Sequence, residues 1–368
     1  MKYWQIYCLF SVIFAFSMGL ISCNESKVSS NFNTVTVNLD AVNIIPLSNA
    51  RIIELETNDS SLIYEIYNLV KIDDRLYVHS RNLLKVFSDA DGHYISDVGR
   101  LGHGPGEYAQ INQIWAEGSN ICIHDFDSNC ALVYNNKNEC ITKRQPFFDR
   151  VHQCYPSQII LYPDSSCIIA LSTYRGSPEK HTPLASIRSL NNEFKRIIPG
   201  REVLDGGSLN TCLAKDYENN RILYWQGLKD TIFEITTDSI RPIYAIDFGQ
   251  YRFPGQDDNN LFGKVRRLKQ ELKNGARYAT LIQDVQKWHD IILFDFTTDY
   301  TDTFYISALD TKSNKIQVYE LRDDKFAIRP FMRLIGDNLY IELKNKENDE
   351  ANPALLIFPA RYFKKFQR

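Results

Sequence analysis

A chain of 368 residues exceeds the usual single-domain length but is within reach of one large all-β domain. Its 44% hydrophobic and 24% charged residues exclude intrinsic disorder and a polytopic membrane protein, and a formal net charge of -3 gives no basic footprint for nucleic acid. Aromatics at 12%, with 21 Tyr and 21 Phe, favour strands over helices and exclude collagen-like and coiled-coil chains.

Residues 3–20 form an apolar run, long enough to span a bilayer, with Lys2 the only charge before residue 25. It ends in Leu20-Ile21-Ser22-Cys23, which resembles the lipobox of bacterial lipoproteins. The signal peptidase admits only small side chains before the cut, and the Cys23 thiol takes a diacylglyceryl group before becoming the new N-terminus. An uncleaved anchor with an incidental Cys is the other reading. Residues 1–22 are thus expected to be a lipoprotein signal peptide, residues 23–33 a Ser/Asn-rich flexible tether, and residues 34–368 the folded domain. The tether does not decide between a periplasmic and a surface-facing protein.

Within the domain, a polar turn followed by an apolar β run recurs six times. The runs start at Leu76, Ile121, Ile168, Ile222, Ile291 and Leu339, at spacings of 45, 47, 54, 69 and 48 residues. A four-stranded propeller blade needs about 40 to 50 residues. The pattern predicts an all-β, six-bladed β-propeller of four-stranded antiparallel blades, with two spacings inflated by insertions. Residues 34–39 and 52–55 supply strands to close the ring against residues 355–358. Residues 261–272, with Leu261, Val265, Leu268 and Leu272 on one stripe among basic residues, predict a short helical insertion between blades four and five. This helix packs over the rim or offers a basic face to lipid or a partner.

Val86-Phe87, Asp91-Gly92 and the segment Gly99-Arg100-Leu101-Gly102-His103-Gly104-Pro105-Gly106-Glu107-Tyr108 resemble the blade-end signature of NHL-type propellers. They are similar above all to the bacterial six-bladed β-propeller lipoprotein family, as are residues 229–234 and 246–249. That family is defined by fold, so the resemblance transfers no catalytic residue. Gly99, Gly102, Gly104 and Gly106 could approach an anion, but no Gly-Lys-Ser/Thr follows and no helix N-terminus receives phosphate. With Pro105, they read as a structural blade-linking loop.

Six cysteines follow Cys23: Cys122, Cys130, Cys140, Cys154, Cys167 and Cys212. They permit three disulfides in an exported chain, or serve as buried small hydrophobes. Trp115, Tyr174, Trp225 and Trp288 read as wedges between blades or as stacking platforms for a ligand. No His-x-x-x-His occurs, but His79, His124 and Glu342 share an offset after their apolar runs, with Asp125, Asp127 and Asp295 nearby. Converging at one channel mouth they could hold Zn²⁺ or Ca²⁺, or simply satisfy strand-end hydrogen bonds. No other cofactor is expected.

Together these features predict a Gram-negative outer membrane lipoprotein acting as an envelope binding or scaffolding module for a peptide, glycan or partner protein. The alternative is a metal-assisted hydrolase or lyase with its site in the channel. Nucleic acid is not an expected partner. Cys23→Ala is expected to leave the precursor uncleaved and unacylated. Metabolic labelling with a fatty-acid analogue checks this, and label persisting in the variant would refute the lipobox reading.

Overall fold

The computed structural model describes residues 32–144, 154–161, 167–174, 183–189, 194–199, 211–216, 218–226, 230–236, 239–254, 261–279, 284–298 and 303–367. Three short strands lead: β1 (Asn33–Thr36), β2 (Val42–Pro46) and β3 (Arg51–Glu54). Groups of four follow. The first is β4 (Asn68–Ile72), β5 (Arg75–Ser80), β6 (Leu83–Ser88) and β7 (Tyr94–Asp97), and the second is β8 (Ile111–Glu117), β9 (Asn120–Asp125), β10 (Cys130–Tyr134) and β11 (Cys140–Arg144). Next come β12 (Cys154–Leu161), β13 (Cys167–Tyr174), β14 (Pro183–Ser189) and β15 (Phe194–Pro199), then β16 (Thr211–Asp216), β17 (Arg221–Gln226), β18 (Thr231–Ile235) and β19 (Ile240–Asp247). After the helix α1 (Leu261–Lys273) come β20 (Val285–Trp288), β21 (Ile291–Phe296), β22 (Phe304–Asp310) and β23 (Lys315–Arg322). The chain ends with β24 (Phe326–Ile335), β25 (Asn338–Asn345), β26 (Ala354–Pro359) and a 3-10 segment, Ala360–Gln367.

Each group is an antiparallel meander, and the first strands of successive groups contact one another around an axis, with β24 meeting β4. This is a β-propeller. The expectation of six uniform blades of four antiparallel strands is corrected. Five blades carry described side chains through their strands, whereas β12 to β15 are described almost wholly by backbone pairing. Two of those five are mixed sheets of five strands, because β1 adds in parallel to β19 and β2 in parallel to β23. The segment expected at residues 34–39 to close the ring therefore covers the outer edge of a different blade. An outer strand is a row of unpaired N–H and C=O groups, and the leading segment masks two such rows.

Ring closure itself falls to β3, which pairs antiparallel with β26 in the register Ile53↔Leu355 and Ile52↔Leu356. The chain just after β3 is latched by Asn352. Its Oδ1 accepts from Ile63 N at 2.8 Å, and its Nδ2 donates to the carbonyls of Glu56 at 2.6 Å and Ser61 at 3.0 Å. Gly92 lets the β6–β7 turn lie against the closing strand. Its φ is +78°, and a Cβ there would sit 2.3 Å from the Glu54 carbonyl oxygen.

The repeat visible in the sequence is the turn between the first and second strand of a blade. Asp73, Gly118, His289 and Gly336 occupy it with positive φ, as tight two-residue hairpins require. Second strands such as β5, β9, β21 and β25 are buried nearly end to end, since neighbouring blades cover both faces, and so read as unbroken apolar runs. Trp225 packs on Phe294 of the next blade with ring centroids 5.0 Å apart, and Trp115 packs with Cys122, Ala131, Val133 and Ile159. Both are wedges. Trp288 donates to Asp337 at 2.8 Å, and the side chain of Tyr174 lies outside the described residues.

Helix α1 buries Leu268 and Leu272 against Phe253 and Tyr278, leaving Arg266, Lys269 and Lys273 exposed. Cys122, Cys130 and Cys140 are free thiols, the first two buried, and the side chains of the later three cysteines lie outside the described residues. The apolar run at residues 3–20 and the tether through residue 31 also lie outside them. Among the described residues, no helix is long and apolar enough to cross a membrane.

Ile53 is 3% exposed at the seam, whereas Ile44 on β2 is 55% exposed. Ile53→Ala is expected to lower stability by about 2–5 kcal/mol, and Ile44→Ala by less than about 0.5 kcal/mol. Urea unfolding of both variants measures the contrast, and equal midpoints would contradict closure by β3.

Candidate functional site: a cationic central channel

The first strands enclose a cavity of about 260 Å³ on the propeller axis. β4, β8, β12, β16, β20 and β24 all line it. An innermost strand has one edge with no neighbour in its own sheet, and its backbone groups there need partners. Side-chain amides from the preceding blade meet part of this need. Asn68 Nδ2 donates to the Ile114 carbonyl at 3.2 Å, and the Gln113 amide both donates to the Ile159 carbonyl and accepts from Ile159 N. Gln286 repeats the arrangement one interface further on, donating to the Met332 carbonyl and accepting from Leu334 N, each at 3.4 Å. Asn68 and Gln113 are equivalent by register, since they pair with His79 and His124 respectively. The amides stitch blade to blade.

Four cations share the lining: Lys71, Lys215, Lys287 and Arg333. By register they lie near the hairpin-turn ends of their strands, since Lys71 pairs with Leu76, Lys215 with Ile222, Lys287 with Ile292 and Arg333 with Tyr340. Among the described lining residues there is no carboxylate. Lys71 is ion-paired with Asp89, and Lys287 donates to the His289 carbonyl. Arg333 donates to Asn68 Oδ1 at 3.1 Å, while its Nε finds no acceptor among the described residues. Burial, and then the charge of Arg333, hold the Lys215 ammonium below the usual lysine range. Burial pushes the Asp284 carboxyl up to about 6 against the pull of Arg333, and Asp284 Oδ2 accepts from Met332 N at 3.1 Å.

The sequence-predicted candidates sit elsewhere. None of His79, His124 and Glu342 lines the cavity. All three are buried on second strands. His79 Nε2 donates to the Arg81 carbonyl at 2.6 Å, and burial takes its pKa down to about 4. His124 pairs through Nδ1 with Asn112 and through Nε2 with Asn129, both at 3.1 Å. Glu342 Oε2 accepts from Ile66 N at 2.9 Å in the loop leading to β4. Asp125 does the same for Ala109 N and Gln110 N, and Asp295 for Asp284 N. Their shared offset thus marks side chains that clamp strand ends and crossing loops. Among the described residues, no three His, Cys, Asp or Glu side chains are grouped as a metal would need.

The glycine-rich segment links β7 to β8. Its ends are tied by a parallel bridge between Leu101 and Tyr108, and Glu107 accepts from Gly104 N at 2.8 Å and from Arg100 Nε at 2.5 Å. Gly106, at φ +71°, lies so close to Cys140 that a Cβ would come within 2.8 Å of the Cys140 Cβ. Gly99, Gly102, Gly104, Pro105 and Gly106 lie outside the cavity lining.

The profile of a family described as a domain of unknown function, DUF4934, matches residues 28–355. The chain belongs to the DUF4934 family. Among curated proteins nothing matches. Two solved structures share the fold of this DUF4934 chain. A putative exported protein from Bacteroides fragilis superposes with a TM-score of 0.62 at 14% identity, over 89% of this chain and 98% of that one. A member of the DUF4221 family from Bacteroides vulgatus gives a TM-score of 0.56 at 13% identity, over 84% and 97%. The expected likeness therefore holds at the level of a β-propeller family, and the match is to DUF4934 rather than to NHL-type lipoproteins.

Lys215 escaped the repeat analysis for a geometric reason. The β16–β17 turn is two residues longer than the β4–β5 turn, which moves Lys215 out of the fixed offset that Lys71 keeps from its second strand. Aligning residues by their cross-strand partner instead of by count recovers the match.

Glu342 and His79 have opposite linkage. Burial raises the Glu342 pKa from 4.5 to about 7, so this group lowers stability above pH 7 and the penalty fades as pH falls toward 4.5. His79, lowered from 6.5 to about 4, supports stability above pH 6.5 and loses that contribution as pH falls toward 4. The two offset each other over much of this range. Glu342→Gln is expected to be more stable than the wild type at pH 8 by up to about 3 kcal/mol, with the gap closing near pH 4.5. Its stability should also fall more steeply on acidification. Urea midpoints across pH measure both effects, and a pH-independent difference would contradict the assignment.

Proposed function

We propose that the chain is an exported binding propeller of the Gram-negative envelope, held at the outer membrane by lipid on Cys23, with its ligand engaged at the central channel. The ligand is a peptide, a glycan or a segment of a partner protein that presents a small polar group to the cavity. One observation carries this reading: polar and cationic side chains from separate blades meet in one cavity of about 260 Å³. Amide stitching explains Asn68, Gln113 and Gln286, but it does not require cations beside them. Desolvating a lysine or arginine costs free energy, and a ligand supplies a compensating interaction. Similarity in fold to an exported Bacteroides protein supports the envelope setting.

Ala116 is exposed on the cavity wall, which makes it a place to obstruct the channel without disturbing the core. Peptide and glycan fractions of envelope extract should include one that raises the melting temperature of the full-length protein in detergent. Ala116→Phe should melt as the wild type does but lose that shift. A shift retained in the variant would place the ligand outside the channel, and no shift with any fraction would refute the binding role.

A further inference from the structure

We infer that the strap leading from β3 into β4 carries a second binding site, an aromatic platform of Tyr64 and Tyr67 for a neutral oligosaccharide whose sugars present flat faces. This goes beyond the channel-binding reading above and does not depend on it.

The strap faces both ways. Ile63 and Ile66 are buried beneath it, whereas Tyr64 is 60% exposed, Tyr67 49% and Leu62 43%. Apolar side chains exposed singly need no explanation, but three in one short segment form a patch. The blade itself does not demand them. Asn68 and Gln113 hold equivalent places on β4 and β8, and the residue before Gln113 is Asn112, so that position does not require an aromatic.

The rings are held before any ligand arrives. Backbone N–H groups along the strap are fastened in turn, Ile63 to Asn352 Oδ1, Tyr64 to Ser80 Oγ at 3.2 Å, Ile66 to Glu342 Oε2 and Tyr67 to the His79 carbonyl at 2.9 Å. Each ring is also buttressed by a neighbour. The Arg81 guanidinium carbon lies 3.7 Å from the Tyr64 ring centroid, and the Tyr67 ring meets the buried His79 ring at a right angle with centroids 5.6 Å apart. Arg81 is set at the two-residue β5–β6 turn with φ +52°, a conformation uncommon for a long side chain. Glu65 and Arg81 both hydrogen-bond Tyr67. A platform fixed in this way loses little conformational freedom on binding.

Chemistry selects the occupant. The C–H face of a pyranose is apolar and its hydrogens are weakly positive, which suits the negative face of an aromatic ring. Its hydroxyls project around the rim of the sugar, where Glu65 accepts and Arg81 donates. These two charges have opposite signs, so the patch selects for neither an anion nor a cation. Size argues against a folded partner. A stable protein interface covers about 800 Å² and about 20–30 residues on each side, whereas the strap exposes Leu62, Tyr64 and Tyr67.

Calorimetric titration of the full-length protein, in a detergent without a sugar headgroup, with cellohexaose, mannohexaose, xylohexaose and chitohexaose tests the inference. At least one should bind, with an affinity that changes by less than about twofold between low and physiological salt. Tyr64→Ala and Tyr67→Ala should each weaken it by at least about tenfold, while Tyr67→Phe, which keeps the ring, should stay within about threefold of the wild type. Ile44→Ala, exposed on another blade, should change nothing. Melting temperatures identify a variant that fails to fold, and Tyr64→Ala, at the more exposed position, decides if Tyr67→Ala does so. Failure of all four sugars to bind, or undiminished binding in both alanine variants, would overturn the platform. Self-association that Tyr64→Ala abolishes, read by sedimentation in the absence of sugar binding, would assign the strap to a second copy instead. Ala116→Phe, which obstructs the channel, should leave sugar binding intact, and its loss there would move the sugar to the channel and overturn the second site. The channel reading stands or falls separately, on the shift with envelope fractions.

Discussion

The structure depends on one non-local pairing, that of β3 with β26. Every other sheet contact in the described meanders joins strands close in sequence, or lays a leading strand on an outer edge that is already formed. Without β3, the last blade has an open edge and nothing in the backbone ladder holds its neighbour at the seam. Asn352 and Gly92 serve the same junction from opposite sides, one by hydrogen-bonding the loop after β3 and the other by the absence of a side chain. Loss of a few residues here propagates around the ring, because each blade's apolar faces are covered only by its two neighbours.

Closure also creates the channel. Packing blades side by side leaves the free edges of their innermost strands facing a common axis, where backbone groups need partners. Asn68, Gln113 and Gln286 meet that demand with amides, which carry a donor and an acceptor and so stand in for the missing strand. Cations do not meet it. The lining cations are fastened separately, Lys71 by Asp89, Lys287 by the His289 carbonyl and Arg333 by Asn68 Oδ1.

Much of the ring was legible because each blade repeats the same two devices. A turn residue with positive φ at Asp73, Gly118, His289 or Gly336 precedes a second strand covered on both faces, and composition records both. The fifth strands were not legible. Residues 33–36 and 42–46 are short and only partly buried, and nothing in such a segment says which blade it joins or that it runs parallel. The site was misread by a related route. His79, His124 and Glu342 do recur at one offset, but recurrence in a ring marks whatever every blade needs, and each blade needs its strand ends and crossing loops fastened. Lys71, Lys215, Lys287 and Arg333 come together only when the strands are placed around the axis.

The seam has a further consequence for how the protein reaches its native state. Residues 51–54 leave the ribosome about 300 residues before the strand that receives them, so β3 waits while every intervening blade is made. Closing so large a loop is slow, and the edge of β26 stays open in the meantime. A second copy presents the same strand in the same register. Reciprocal exchange of the leading segment then satisfies both edges as well as self-closure does, with each ring sealed by the other's strand. Exchange of this kind would depend on chain concentration, whereas self-closure would not.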